Sequence, residues 1–227
     1  MTVHSHLATD MREAALRRDG EEPTSERRTQ ILNAAERSFC RSGFHRTTMQ
    51  DVAAEASMSP GNLYRYFPSK DALVAGLCER DRADLGREFG ELRDGSEDFL
   101  TAFRALGQRH FEEASADRAK LCLEIWAEAT RNPAVAALQA EFDRSLTEQF
   151  VLAIDKAKAD GSVHPSVDSR AAASIIGKLG DGLFVRRATA ADFDPEREVG
   201  EVFAVICALL NGAIELPGSS SGQEVQS

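Results

Sequence analysis

The sequence predicts an all-α protein in two parts, a small N-terminal helix-turn-helix domain followed by a larger helical domain. Three observations lead there. From Glu26 onward apolar residues recur at helical spacing, as in Ile31, Leu32, Ala35 and Phe39. No stretch shows the two-residue alternation of a half-buried strand. Within "TTMQDVAAEASMSPGNLYRYFPSK", residues 47–70, two short helical patterns flank a brief break.

Taken in order, residues 1–23 are polar and acidic without an apolar period, and read as a mobile arm. The first helix is expected over 25–42, where "SG" at 42–43 stops it. Thr47 and Thr48 both qualify as the cap of a short second helix ending near Ala56, with Gln50 or Asp51 as the reciprocal half of a capping box. Ser59 followed by Pro60 starts a third helix, because serine can accept an orphan amide bond and proline fits the first turn. Pro68 ends it, and Ser69 can cap a fourth helix carrying Leu73 and Leu77 on one face. Beyond residue 71 every segment reads as helix, with breaks at 93–96, 131–133, 159–165 and 191–195. The tail from 214 to 227 is expected to be disordered.

The 227 residues carry a net charge of −10, which argues against non-specific coating of nucleic acid. The balance is uneven. Residues 24–70 hold seven Arg and Lys against four acids, a net of +3, while residues 1–23 carry −2 and 71–227 carry −11. Any phosphate-binding surface therefore belongs to the small N-terminal part. No run approaches a membrane span and the N-terminus lacks the apolar core of a signal peptide, so a cytoplasmic protein with no membrane partner is expected.

Val52, Ala53, Ala56, Met58 and Leu63 supply the small core that lets one helix brace a second, whose first turn enters the major groove. Tyr64 and Tyr66 are stiff and end in hydroxyls that can reach phosphates; Arg65 and Lys70 add positive charge. Asn62 and Gln50 carry amides able to make paired bonds to adenine. Gly61 lets the backbone come close to DNA.

Residues 26–80 resemble the DNA-binding domain of the tetracycline-repressor (TetR) family of bacterial transcription regulators. The resemblance rests on "G-F" before "T-T", "D-V-A", "S-P-G-N-L-Y-R-Y-F" and then "S-K". It implies about nine helices, a homodimer built from the last two, and a ligand cavity in the C-terminal domain. By motif position it implies phosphate contacts from Thr48, Tyr64, Tyr66 and Lys70, and a base-facing surface of Gln50, Ser59, Gly61, Asn62 and Arg65. One departure is Ser57, where the family usually has glycine; a side chain at positive φ costs about 1 kcal/mol. Farther on, "LEIWAEATRNPAVAALQAEF" and "GDGLFVRRA" resemble a subset that includes choline-responsive and drug-efflux regulators.

The domains expected are therefore 24–70 for DNA and 71–213 for an effector and the dimer contact. Candidate pocket residues are Phe103, His110, Trp126, Phe142 and Phe184, apolar-face groups suited to an apolar or aromatic small molecule. Ala173, Gly177 and Gly180, with Val199, Val202 and Phe203, suggest the dimer helices. The function expected is a ligand-responsive repressor that binds a pseudo-palindromic, double-stranded operator and is released by a small molecule, controlling an efflux-pump or metabolic operon.

Catalysis is not expected: no nucleophile elbow, zinc-protease motif or P-loop occurs, and "GKLGDG" at 177–182 lies inside a helical pattern with no preceding strand. No cofactor is implied. A metal- or redox-responsive sensor is the other class, but Cys40, Cys78, Cys122 and Cys207 are scattered, and His4 and His6 lie in the arm.

Overall fold

In the computed structural model, residues 25–95 and 97–214 are described. The arm expected over 1–23, with His4 and His6, and the tail from 215 onward lie outside them. Local capping sets most of the element boundaries. Helix α1 spans 25–42 and stops at Gly43, whose φ of 82° is open to glycine without penalty. Helix α2, Met49–Glu55, begins with a full capping box: the Asp51 amide donates to Thr48 Oγ1 at 3.2 Å, and the Thr48 amide donates to Asp51 Oδ2 at 2.8 Å. Thr47, the other candidate, is buried instead, its hydroxyl 2.8 Å from the Gly43 carbonyl.

Helix α3, Pro60–Tyr66, starts as the Ser-Pro pair predicts, with Ser59 accepting from the Asn62 amide. Helix α4 runs Lys70–Asp94, and Ser69 Oγ accepts from the Ala72 amide at 3.1 Å. The chain divides into two compact units between Gly76 and Leu77, a point inside α4. The first unit packs Ile31, Phe39, Val52, Leu63, Phe67 and Leu73 into a buried core. Gly76 permits close approach there, since a Cβ would meet Leu32 Cδ2 at 2.8 Å and Phe67 Cε1 at 3.0 Å.

The second unit continues with α5 (Phe99–Glu113), α6 (Ala116–Ala129), α7 (Pro133–Ala159), α8 (Ser169–Thr189) and α9 (Pro195–Leu210). Each is capped by a short polar side chain: Asp98, Ser115, Asn132, Asp168 and Asp194. The break between α5 and α6 at Ala114–Ser115 was not among those expected from the sequence. Helix α8 packs on α6 and α7, and α9 lies along α5. Phe103, Leu106, Ile154, Ile176, Ile206 and Leu210 form the main core. The fold class is all-α, with no strand among the described residues.

Part of the face expected to pair two copies is covered within its own chain. Ala173 and Val199 are buried inside their own chain. Gly177 and Gly180 face open space, and the exposed apolar residues alongside are Val185 and Val205, at 43% and 47% exposure. Periodicity shows that a helix has an apolar face; it does not say whether its own core or another copy covers it. Among the described residues no helix is long and apolar enough to cross a membrane.

Candidate nucleic-acid interface

The geometry of α3 answers why aromatic and basic residues crowd a helix of seven residues. Leu63 is fully buried and anchors the helix from one side, while Tyr64 is 50% exposed and Arg65 is exposed. Tyr66 and Asn62 are half-buried. Ser59 and Gly61 sit exposed in the first turn, and a Cβ at Gly61 would meet nothing within 4 Å. Packing within the chain does not require glycine there. Thr48 and Gln50 are exposed at the start of α2. The Schellman turn joining the two helices closes with the Ser57 amide donating to the Ala54 carbonyl and the Met58 amide to that of Ala53, at 3.0 and 2.9 Å. Ser57 holds a φ of 53° in it, so the strain expected from the missing glycine is present.

The cations are arranged differently from a simple basic patch. Arg37 and Arg41 both pair with Glu55, at 2.8 and 2.9 Å, tying α1 to α2 and holding the Glu55 carboxyl below its usual pKa. Arg28 reaches the Tyr66 carbonyl at 3.4 Å and lies over the Phe67 ring. The Lys70 ammonium donates to the Phe44 carbonyl at 2.8 Å and to that of His45 at 3.3 Å, and sits 4.5 Å from the Phe44 ring centre. These four residues hold the helix-turn-helix together. Asp51 is likewise kept below the usual carboxylate range by the Thr48 amide and hydroxyl.

In the second unit, three of the five pocket candidates meet. His110 lies 5.6 Å from Phe184, and Trp126 6.3 Å from the same ring, with Phe111 closing the group 5.1 Å away. Burial pushes the His110 pKa down, with the nearby Arg118 adding to it. Phe103 belongs to the main core, stacked on Phe99 and edge-on to Phe150 and Phe203. Phe142 is half-buried on α7. A separate recess of about 280 Å³ is bounded by Arg93, Asp98, Lys156 and Asp160, but Lys156 pairs with Asp160 and Arg93 bonds Gln149. All four cysteines are free thiols, and burial pushes that of Cys78 up to about 11, so it is protonated at neutral pH. Among the described residues no three metal-ligating side chains gather.

Residues 31–77 match the family described as bacterial regulatory proteins, tetR family, and residues 101–211 match the C-terminal part of BetI-type transcriptional repressors. The regulator UidR of Escherichia coli K12 is 32% identical over 158 residues, covering 69% of this chain and 79% of that protein.

The chain belongs to the TetR family.

BetI of Burkholderia thailandensis is 30% identical over 167 residues, covering 72% of this chain and 83% of its own. The structure of Salmonella enterica GusR superposes with a TM-score of 0.68 at 26% identity, over 82% of this chain and 95% of that one. The chain is thus a TetR-family transcriptional regulator with a helix-turn-helix DNA-binding domain, in a family of regulators and not of enzymes. Sequence reasoning missed Phe111 in the aromatic group, although its buried place next to His110 on α5 is the kind of signal that periodicity carries. It also missed the internal work of Arg28, Arg37, Arg41 and Lys70, which no local pattern announces.

Proposed function

We propose that this TetR regulator represses transcription as a homodimer on a pseudo-palindromic operator and leaves it when a small molecule binds the second unit. The observation that carries the reading is the two-sidedness of α3: Leu63 buried, and Tyr64 with Arg65 turned outward beside an unobstructed Gly61. In this reading Asn62 and Gln50 read base edges, with Ser59, Gly61 and Arg65 on the same approach. Thr48, Tyr64, Tyr66 and Lys70 bond phosphates in this reading, Lys70 through the ammonium N–H that its two loop carbonyls leave over.

A dimer places its two recognition helices one turn of DNA apart, about 34–36 Å. Helices α8 and α9 supply the contact in this reading, through Val185, Val205 and the open glycines. The domain to residue 70 reads DNA and that from 71 to 213 holds the effector, an apolar or aromatic molecule against His110, Trp126 and Phe184, with Phe142 and Phe103 behind. An efflux-pump or metabolic operon is the regulated target, and the cytoplasm the place of action.

The test is selection of duplexes from a random pool by the full-length protein. Recovered sequences should share a twofold-related motif. Tyr64→Phe should weaken all of them alike, while Asn62→Ala should relax preference at particular bases, each good amide pair being worth about 1–3 kcal/mol of discrimination. A pool that stays random after selection at low salt would sink the proposal.

A further inference from the structure

A strained residue persists only where its surroundings hold it, and what holds Ser57 gives Glu55 a role that motif position does not assign. Ser57 is exposed, so side-chain packing does not keep it at φ 53°. Two bonds close the turn from within, the Ser57 amide to the Ala54 carbonyl and the Met58 amide to that of Ala53. Both acceptors lie in the last turn of α2, and so does Glu55. An acid at that end is disfavoured by the helix dipole, so α2 by itself gains nothing from Glu55. Its partners lie on α1 instead. One carboxylate oxygen takes Arg37 Nε at 2.8 Å and the other takes Arg41 Nη1 at 2.9 Å, from arginines one helical turn apart. Holding both oxygens fixes the carboxylate's orientation as well as its distance.

On the far side of the turn Ser59 Oγ accepts from the Asn62 amide at 3.3 Å, and Pro60 starts α3. Ser57 therefore sits between two anchored ends, and its backbone conformation sets the angle between α2 and α3. A turn free to open would let Ser57 leave the left-handed region, and α3 would drift with it. Side chains that discriminate must be held to within about 0.5 Å. We propose that Glu55 is a positioning residue for sequence reading: anchored by Arg37 and Arg41, it holds the last turn of α2 against α1, so that the turn stays closed and α3 presents Asn62 at a constant angle. The proposal rests on the reading that α3 enters duplex DNA.

The experiment compares affinity for the duplex recovered by selection with affinity for a random-sequence duplex, well below the unfolding temperature. Full-length wild type, Glu55→Ala, Ser57→Gly and the double variant are measured, with hydrogen exchange of the Met58 amide in each. Glu55→Ala should lower the ratio of the two affinities on the order of threefold, the scale of an exposed ion pair. It should also speed exchange at Met58 while that of the buried Leu73 on α4 stays unchanged. Ser57→Gly removes the penalty for the left-handed turn, so the double variant should regain most of the ratio. A loss in the double variant as large as in Glu55→Ala would overturn the proposal, because Glu55 would then act independently of the turn. An unchanged ratio in Glu55→Ala would overturn it as well, since the loss of one negative charge raises affinity for every duplex alike. Faster exchange at Met58 and Leu73 together would make Glu55 a general stabiliser and not a positioning residue. If the wild-type protein retains no duplex, the DNA reading fails and the role in sequence reading with it, and Met58 exchange in Glu55→Ala still decides whether Glu55 holds the turn.

Discussion

At Ser57 a non-glycine residue occupies the left-handed region, with φ 53°, in a turn after α2 whose two amides, of Ser57 and Met58, are both satisfied. The turn's two bonds outweigh the strain, but the strain persists. Ser57→Gly removes it and should raise stability by about 1 kcal/mol, less the extra entropy glycine gains when unfolded; a urea midpoint shift at constant slope would register it. Ser38 is a second local irregularity, since its Oγ is the one buried side-chain polar atom without a partner among the described residues. A hydroxyl that gave up water for nothing contributes no net bond. Ser38→Ala should therefore be neutral or stabilising by up to about 1 kcal/mol, and a midpoint lowered by more than that would reveal a bond to the hydroxyl.

Among the elements, the α8–α9 junction depends on one carboxylate. Glu198 is buried on the first turn of α9 and receives two bonds from Arg186, at 2.6 and 3.0 Å, with Arg197 at 3.3 Å. Arg186 keeps half its side chain in water, so it stays solvated when the partner is removed. Glu198→Ala should therefore cost about 1–2 kcal/mol, less than the 3–5 kcal/mol of breaking a fully buried pair. The Arg186 bonds hold the Glu198 pKa below its ordinary 4.5, so this stabilisation is complete above that value and fades as pH falls through the folded pKa. Unfolding curves of wild type and Glu198→Gln should converge in strong acid, and a gap that persists there would mean packing, not charge, sets the effect. Such elements also show what a sequence discloses. The Thr48–Asp51 box and the Ser59–Pro60 start were legible because their partners lie within three residues. The α5–α6 break was not, since Ser115 caps α6 without a glycine or proline to mark it. Lys70 reads as a free cation until a carbonyl 26 residues away comes to meet it. His110, Trp126 and Phe184 converge from three helices, a contact between distant segments that no spacing along the chain specifies.

At the scale of the molecule, stability against pH sums groups of opposite sign, and His110 can be isolated from the rest. Its ring is pressed against Phe111 and Phe184, and burial with the Arg118 charge lowers its pKa, while Asp81 and Glu113 pull the other way. Below 6.5 the unfolded chain takes a proton that the folded imidazole refuses, so stability drops as pH falls from about 7 until the folded pKa is passed. Asp143, Asp181 and Glu88 act in the reverse sense. Burial raises each of their pKa values, most simply by desolvation and for Asp181 also through Asp143, so the folded state binds protons first and gains stability on mild acidification. The two slopes oppose each other, and a flat wild-type curve would say nothing about either. The difference between wild type and His110→Gln removes the carboxylates, which both chains share. Measured by urea denaturation at steps between pH 7.5 and 5, the variant should gain on the wild type as pH falls through 6.5. Parallel curves across that window would mean that the imidazole keeps its solvent pKa, and with it that the aromatic group around it is open to water.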